Sequence, residues 1–193
     1  MDLLDFAAKV SELKRLKRAG WILKGVKAPE SVADHSFMLT VLAYVYAKQT
    51  GLDSGRCVKL ALVHDLCEAY SGDIPSRIRK EDRTMPGKMK KKLEEEGMKK
   101  IVSLLPDGTA KEITGLWKEF EERKTKEAQF VRDLDKLEMC MQALAYATTD
   151  SRTDFSEFFE DGRQNIQTPE MKKVFGKILG EFQALSEKKR RAI

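Results

Sequence analysis

Apolar side chains recur every three or four residues along almost the whole chain, with charged residues between them. That is the period of a helix that buries one face. Leu3, Leu4, Phe6, Ala7, Val10, Leu13 and Leu16 form the first stripe and predict a helix over about 2–18, followed by Gly20. Residues 21–28 read as a connector, because Pro29 disfavours helix just before it. Ser31 to Asp34 fits S-x-x-D, a variant of the capping box, so a helix is expected to start at Ser31 and to stop at Gly51. Asp53 or Ser54 caps the next helix, which is expected to carry Val58, Leu60, Ala61, Leu62, His64, Asp65 and Glu68 without a break and to end at Gly72-Asp73-Ile74-Pro75. Residues 77–86 show charge and no periodicity, so they read as a loop. Helices follow over 88–105, 109–123 and 127–148, with Pro106-Asp107-Gly108 as a turn. A short Phe-rich helix is expected over 154–161, and Thr168-Pro169-Glu170 starts a last one that frays into a basic tail. No period-two strand and no internal repeat stand out. The expected fold is all-α, a single-domain helical bundle over 1–193, with a core at about 6–145, C-terminal helices over 154–187 and a tail at 188–193.

Composition refines this picture little. A chain of 193 residues can bury a sizeable core without disulfides or a structural metal. The charged fraction of 35% puts many ions on the surface, and the net charge of +5 concentrates at Lys88–Lys92 and Lys188–Arg191. A basic excess of that size suits an anionic substrate, but a solvated surface accounts for it better, and the KMKKKLEEE run reads as a solvated helix face. Cys57, Cys67 and Cys140 are odd in number and form no CxxC pair, so buried thiols in a reducing, cytoplasmic setting are expected. The first residues lack the basic-then-apolar pattern of a leader, and no apolar run approaches the ~18 residues of a membrane helix.

Candidate chemistry starts from scarcity. The chain has two histidines, His35 and His64. His64 stands beside Asp65 in an apolar run, and Glu68 follows one turn later. Neighbouring helical side chains diverge by about 100°, so His64 and Asp65 share an ion only if other helices supply the remaining ligands. His35 and Asp135 are suitable donors. Two imidazoles and two carboxylates suit a divalent Mn, Fe, Co or Ni ion completed by water, and suit structural zinc less well. Each residue has a plainer role available: His35 can bond a carbonyl, Asp135 can pair with Arg132 or Lys136, and HD dipeptides are common. Together they favour a metal, because an apolar helix gains nothing from burying ionisable groups unless they are paired or ligated. Met38, Met139, Met141 and Trp117 sit at core spacing.

The spacing resembles a known family. ESVADHS around His35, HDLCEAYSGDIP from His64 and VRDLDKLE around Asp135 resemble the HD-domain metal-dependent phosphohydrolases, in the 5'-deoxynucleotidase branch that includes the HD-domain-containing protein 2 type. The resemblance covers roughly Phe6 to Ala145. It implies hydrolysis of deoxyribonucleoside 5'-monophosphates to nucleoside and phosphate by a homodimer with one bound divalent ion, Co or Mn. It implies metal ligation by His35, His64, Asp65 and Asp135. Glu68 matches the family's catalytic acid or base, Asp73 a further active-site carboxylate, and Arg18 an arginine near the substrate phosphate. Bacterial members place a tryptophan directly after that arginine, against the sugar. Here Ala19 and Gly20 intervene before Trp21, which is the corresponding candidate. Arg77 or Lys80 from the charged loop can add to the phosphate grip. Two alternatives are an HD enzyme for a triphosphate or cyclic nucleotide, and a non-catalytic helical module for nucleotides or nucleic acid. Nothing in the chain marks a nucleic-acid or membrane partner.

Overall fold

A computed structural model of the chain describes residues 3–75, 85–150 and 152–191. Arg77 and Lys80, and most of the expected 77–86 loop, lie outside those residues. The described residues form ten α-helices: α1 Leu3–Ser11, α2 Ala19–Leu23, α3 Val32–Thr50, α4 Ser54–Val63, α5 Glu68–Ser71, α6 Gly87–Val102, α7 Asp107–Glu122, α8 Lys126–Thr149, α9 Ser156–Asn165 and α10 Pro169–Arg191. They contain no strand, only a single bridge between Lys17 and Ser31. The all-α expectation therefore holds.

α8 is the axis. It packs against α3, α4, α7, α9 and α10, and its buried residues include Phe130, Val131, Leu134, Leu137, Cys140 and Ala143. Around it one cluster of buried apolar side chains runs from Leu13 to Ile178. All three cysteines are free and buried within that cluster.

α3 forms as its ends dictate. The Ser31 hydroxyl accepts from the Asp34 N–H while the Asp34 carboxylate accepts from the Ser31 N–H, and Gly51 closes the helix at φ 73° in the left-handed region. Asp53 caps α4 by accepting from the Arg56 N–H at 2.9 Å. Asp133 is buried in α8 and accepts from the N–H groups of Gln167 and Thr168 and from the Thr168 hydroxyl, which anchors the start of α10. The basic tail continues α10 as helix to Arg191.

Two expected helices are broken by tertiary contacts. The first ends at Ser11, tightens into a 3₁₀ turn at Glu12–Lys14, and then leaves the helix. The Val32 N–H donates to Leu16 and the Arg18 N–H to Glu30, so residues 16–18 pair with the entry to α3. The expected connector after Gly20 is instead α2, with Gly20 inside it and Gly25 at φ 76° behind it. The second break falls at His64. α4 ends at Val63, and the bonds Leu66 N–H to Val63 O and Glu68 N–H to Asp65 O span three residues rather than four. The chain is thus wound more tightly through the His-Asp pair before α5 begins.

α6 packs against α5. A Cβ on Gly97 would stand 2.6 Å from the Cys67 carbonyl oxygen, a backbone atom next to the site. Gly97→Ala is expected to lower stability by about 1–3 kcal/mol despite alanine's better helix propensity. Gly115 of α7 has nothing near its missing Cβ. Gly115→Ala is expected to raise stability by up to ~1 kcal/mol. Urea midpoints of the two variants measure the opposite signs.

Candidate metal centre

Three separate stretches deliver the cluster. His35 enters from the first turn of α3, His64 and Asp65 from the tight turn after α4, and Asp135 from the middle of α8. The His35 Nε2 lies 3.2 Å from Asp135 Oδ1 and 4.0 Å from Asp65 Oδ2, and that same Asp65 oxygen lies 2.9 Å from His64 Nε2. His35, His64 and Asp135 each present a ligand atom within 4.8 Å of the others. The four residues expected to meet do meet.

The imidazoles are oriented from behind. His35 Nδ1 is 2.5 Å from Glu138 Oε2, and His64 Nδ1 is 2.7 Å from the Ala61 carbonyl oxygen. Both acceptors call for a proton on Nδ1, which leaves a lone pair on each Nε2. Both Nε2 atoms are buried and, among the described residues, make no hydrogen bond. Two buried lone pairs aimed at two carboxylates are costly unless a cation takes them up. The donor set therefore fits a divalent ion.

The charges fit as well. Burial and the Arg18 charge work against a proton on His35, but Glu138 and Asp135 outweigh them and lift it to about 10. A divalent ion replaces that proton and satisfies the same carboxylates. Burial pushes the Asp65 carboxyl up, but His64, Arg18 and His35 hold it well below the usual range. Asp135 is likewise held low against burial by His35, Lys136 and Arg132. Glu68 goes the other way. Burial, then the charges of Asp65 and Asp73, push its carboxyl well above the ordinary range, although Arg18 and Lys90 oppose this.

A cavity of about 320 Å³ opens over the cluster. Its wall includes Arg18, His64, Asp65, Glu68, Asp73 and Asp135, together with Lys90, Arg132, Lys136, Met139 and Phe158. Arg18 is anchored by Nη1 to Asp65 at 2.9 Å and by Nη2 to the Met139 sulfur at 3.0 Å. Burial would lower its pKa, but Asp73, Asp65, Glu68 and Asp135 raise it, so the guanidinium stays charged. Asp73 accepts from the Ala19 N–H at 2.5 Å and lies 3.9 Å from Arg18, so it ties the 18–19 segment to the site.

Trp21 does not reach this wall. It is fully buried, tilted against Phe158 with ring centroids 4.1 Å apart and edge-on to Tyr146, and its indole N–H donates to Glu30 at 2.8 Å. The two residues between Arg18 and Trp21 turn the indole into the core, so it is a packing residue behind the pocket. Lys90, read from sequence as part of a solvated face, instead bonds the Ile74 carbonyl oxygen at the pocket mouth. Met139, read as core, holds Arg18. Arg132 faces the Phe120 ring at 5.0 Å, and its Nε is buried without a partner among the described residues. Glu138 was not singled out from sequence at all. Its signal was the D-x-x-E spacing of Asp135 and Glu138, which puts the two acids on one face of the helix, among Val131, Leu134 and Leu137.

Glu30 lies behind Glu138. Burial and the Glu138 charge raise its carboxyl from 4.5 to about 7, against the Trp21 bond, His35 and Arg18. Between those values the folded chain holds a proton that the unfolded chain has lost, so stability falls as pH rises through that window. Glu30→Gln keeps an acceptor for Trp21 and removes the titration. Urea midpoints from pH 4 to 8 are expected to decline less in the variant, by up to about 3 kcal/mol in total.

The geometry defines a class: an all-helical bundle with a buried His/Asp cluster able to hold a divalent ion at the floor of an open pocket. The HD-domain family model matches residues 10–178, and the chain belongs to that family. HD domains are metal-dependent phosphohydrolases, in keeping with the donor set. The chain is 36% identical over 184 residues to the 5'-deoxynucleotidase HDDC2 of Bos taurus, covering 95% of this chain and 87% of the relative. It is 34% identical over 188 residues to the 5'-deoxynucleotidase hdd1 of Schizosaccharomyces pombe, covering 94% and 90%. Among solved structures, the PH0347 protein of Pyrococcus horikoshii OT3 superposes with a TM-score of 0.73 at 33% identity, covering 95% of this chain and 99% of that one. Among the described residues, no helix is long and apolar enough to cross a membrane.

Proposed function

We propose that the chain is a 5'-deoxynucleotidase that hydrolyses deoxyribonucleoside 5'-monophosphates to deoxynucleoside and phosphate. One divalent ion, cobalt or manganese, is held by His35, His64, Asp65 and Asp135. The observation that carries the reading is the pair of buried Nε2 atoms, without a hydrogen bond among the described residues, converging on two aspartates beside the buried Glu68. The curated relatives named 5'-deoxynucleotidase supply the substrate class.

The chemistry divides between ion and chain. A phosphate monoester dianion repels nucleophiles and has a poor alkoxide leaving group. The bound ion supplies Lewis acidity toward the phosphoryl group and toward water. Arg18, pre-oriented by Asp65 and Met139, offers its remaining N–H donors to the phosphate oxygens. Asp73 holds the Arg18 segment in place. Glu68 in its acid form gives its proton to the departing 5'-oxygen as the P–O bond breaks; the water oxygen forms the new P–O bond, one of its protons stays on the phosphate and the other returns to the Glu68 carboxylate. A 320 Å³ pocket accommodates one mononucleotide.

The assembly is a homodimer in the cytoplasm. Support for pairing comes from the outer face of α3, where Phe37, Met38, Val41, Tyr44 and Val45 form an exposed apolar stripe, with Phe37 72% exposed. Val41→Glu is expected to convert a dimer to a monomer in light scattering, and a wild-type monomer contradicts the pairing.

A nucleotide panel with and without Co or Mn tests the activity. Phosphate release from dAMP and not from dATP, only with metal, is the expected result. Release from dATP or a cyclic nucleotide instead would move the substrate class, and no release from any ester would overturn the enzyme reading.

A further inference from the structure

α8 contributes more to the cluster than Asp135. One turn further on, Glu138 places Oε2 2.5 Å from His35 Nδ1, and its side chain is 3% exposed against 0% for His35. The two histidines are therefore set by different kinds of acceptor. His64, in the turn after α4, donates to a neutral carbonyl only three residues back, that of Ala61. His35 is on α3 and its acceptor is a full carboxylate on α8, so this bond also ties together two of the elements that bring donors to the site. A carboxylate buried this deeply is costly without a partner, and the partner found here is the Nδ1 side of a ligand ring.

We propose that Glu138 is the positioning residue of the metal centre: it fixes His35 in the Nδ1–H tautomer and thereby sets the affinity for the ion. It touches neither ion nor substrate and acts only through His35. The charge on Glu138 makes the His35 ring a stronger donor than a carbonyl partner would, and the short bond fixes the direction of Nε2. Glu30, which accepts from the Trp21 indole N–H at 2.8 Å, lies beside Glu138 and His35. The inference rests on the reading of the cluster as a metal centre. A rival use of the same atoms exists, because Glu30, His35 and Glu138 also offer ligand atoms within 4.8 Å of one another and could take an ion themselves.

The experiment titrates metal-stripped full-length protein with Co²⁺ by calorimetry, for wild type, Glu138→Gln and Glu138→Ala, with circular dichroism confirming that each is folded. The same chains loaded with diamagnetic Zn²⁺ are examined by ¹H–¹⁵N NMR of the imidazoles, where only two histidines contribute. Wild type is expected to take one ion per chain and to show a strongly downfield His35 Nδ1 proton. Glu138→Ala is expected to weaken Co²⁺ binding by about 10–100-fold and to lose that resonance. Glu138→Gln, which keeps a neutral acceptor, is expected to fall between, with the resonance moved upfield. Binding within twofold of wild type in both variants, or an unchanged His35 resonance, overturns the inference and leaves the metal centre standing. Two ions per wild-type chain overturns it in favour of the rival site, and no Co²⁺ binding by wild type overturns the metal centre and this inference together.

Discussion

Asp135→Ala is expected to abolish metal-dependent phosphate release while the protein stays folded. Asp135 is the donor that α8 sends to the cluster, 3.2 Å from His35 Nε2, and it is held ionised against its burial. Without it the site loses one of two carboxylates and the neighbour that fixes the reacting side of His35. Electrostatic assistance from a bound metal amounts to several kcal/mol, so its loss corresponds to a fall on the order of 1000-fold or more in turnover. Co²⁺ affinity falls in parallel, because the ion meets two neutral rings and a single carboxylate. Initial rates on dAMP across a Co²⁺ titration measure both effects. A variant that retains wild-type turnover at micromolar metal would remove Asp135 from the centre.

Glu68→Gln is expected to separate binding from chemistry. Glu68 is three residues beyond Asp65 and buried in the pocket wall, where burial, joined by Asp65 and Asp73, raises its carboxyl pKa. Glutamine keeps the shape and removes the transferable proton. Metal binding is expected to be unchanged, KM to change little, and kcat to fall by about 10²–10⁴. The sign of the pH dependence follows from the direction of the shift. The acid form exists below the raised pKa and is lost above it, so wild-type kcat declines as pH rises through that value. The variant lacks this alkaline limb. An unchanged limb in Glu68→Gln would assign it to another group.

How far these features were legible depended on how local their causes are. The limits of α3 were readable because a capping box and a left-handed glycine act within a few residues. The Asp53 cap was readable for the same reason. The meeting of His35, His64, Asp65 and Asp135 followed from the cost of burying ionisable groups together with the family resemblance of their surroundings. The early end of the first helix was not readable. Its apolar stripe runs on to Leu16, but the backbone there is claimed by Val32 and by the Glu30 carbonyl, partners that periodicity does not reveal. The tight turn at His64 was hidden in the same way, since the apolar pattern continues through it while the hydrogen bonds shorten their span. Trp21 was misplaced because its distance from Arg18 along the chain does not say which way α2 turns the ring. Met139 and Lys90 looked like core and surface, and each bonds a group at the pocket only because α8 and α6 flank it.

The central claim is that two imidazoles and two aspartates from three separate stretches close on one cation. Anomalous diffraction at the cobalt edge from crystals of the Co²⁺-loaded protein tests this most directly. The account predicts one strong peak per chain, about 2.0–2.2 Å from His35 Nε2, His64 Nε2 and an oxygen of each of Asp65 and Asp135. A loaded crystal with no peak between those four side chains, or with its ion bound elsewhere on the chain, would contradict it.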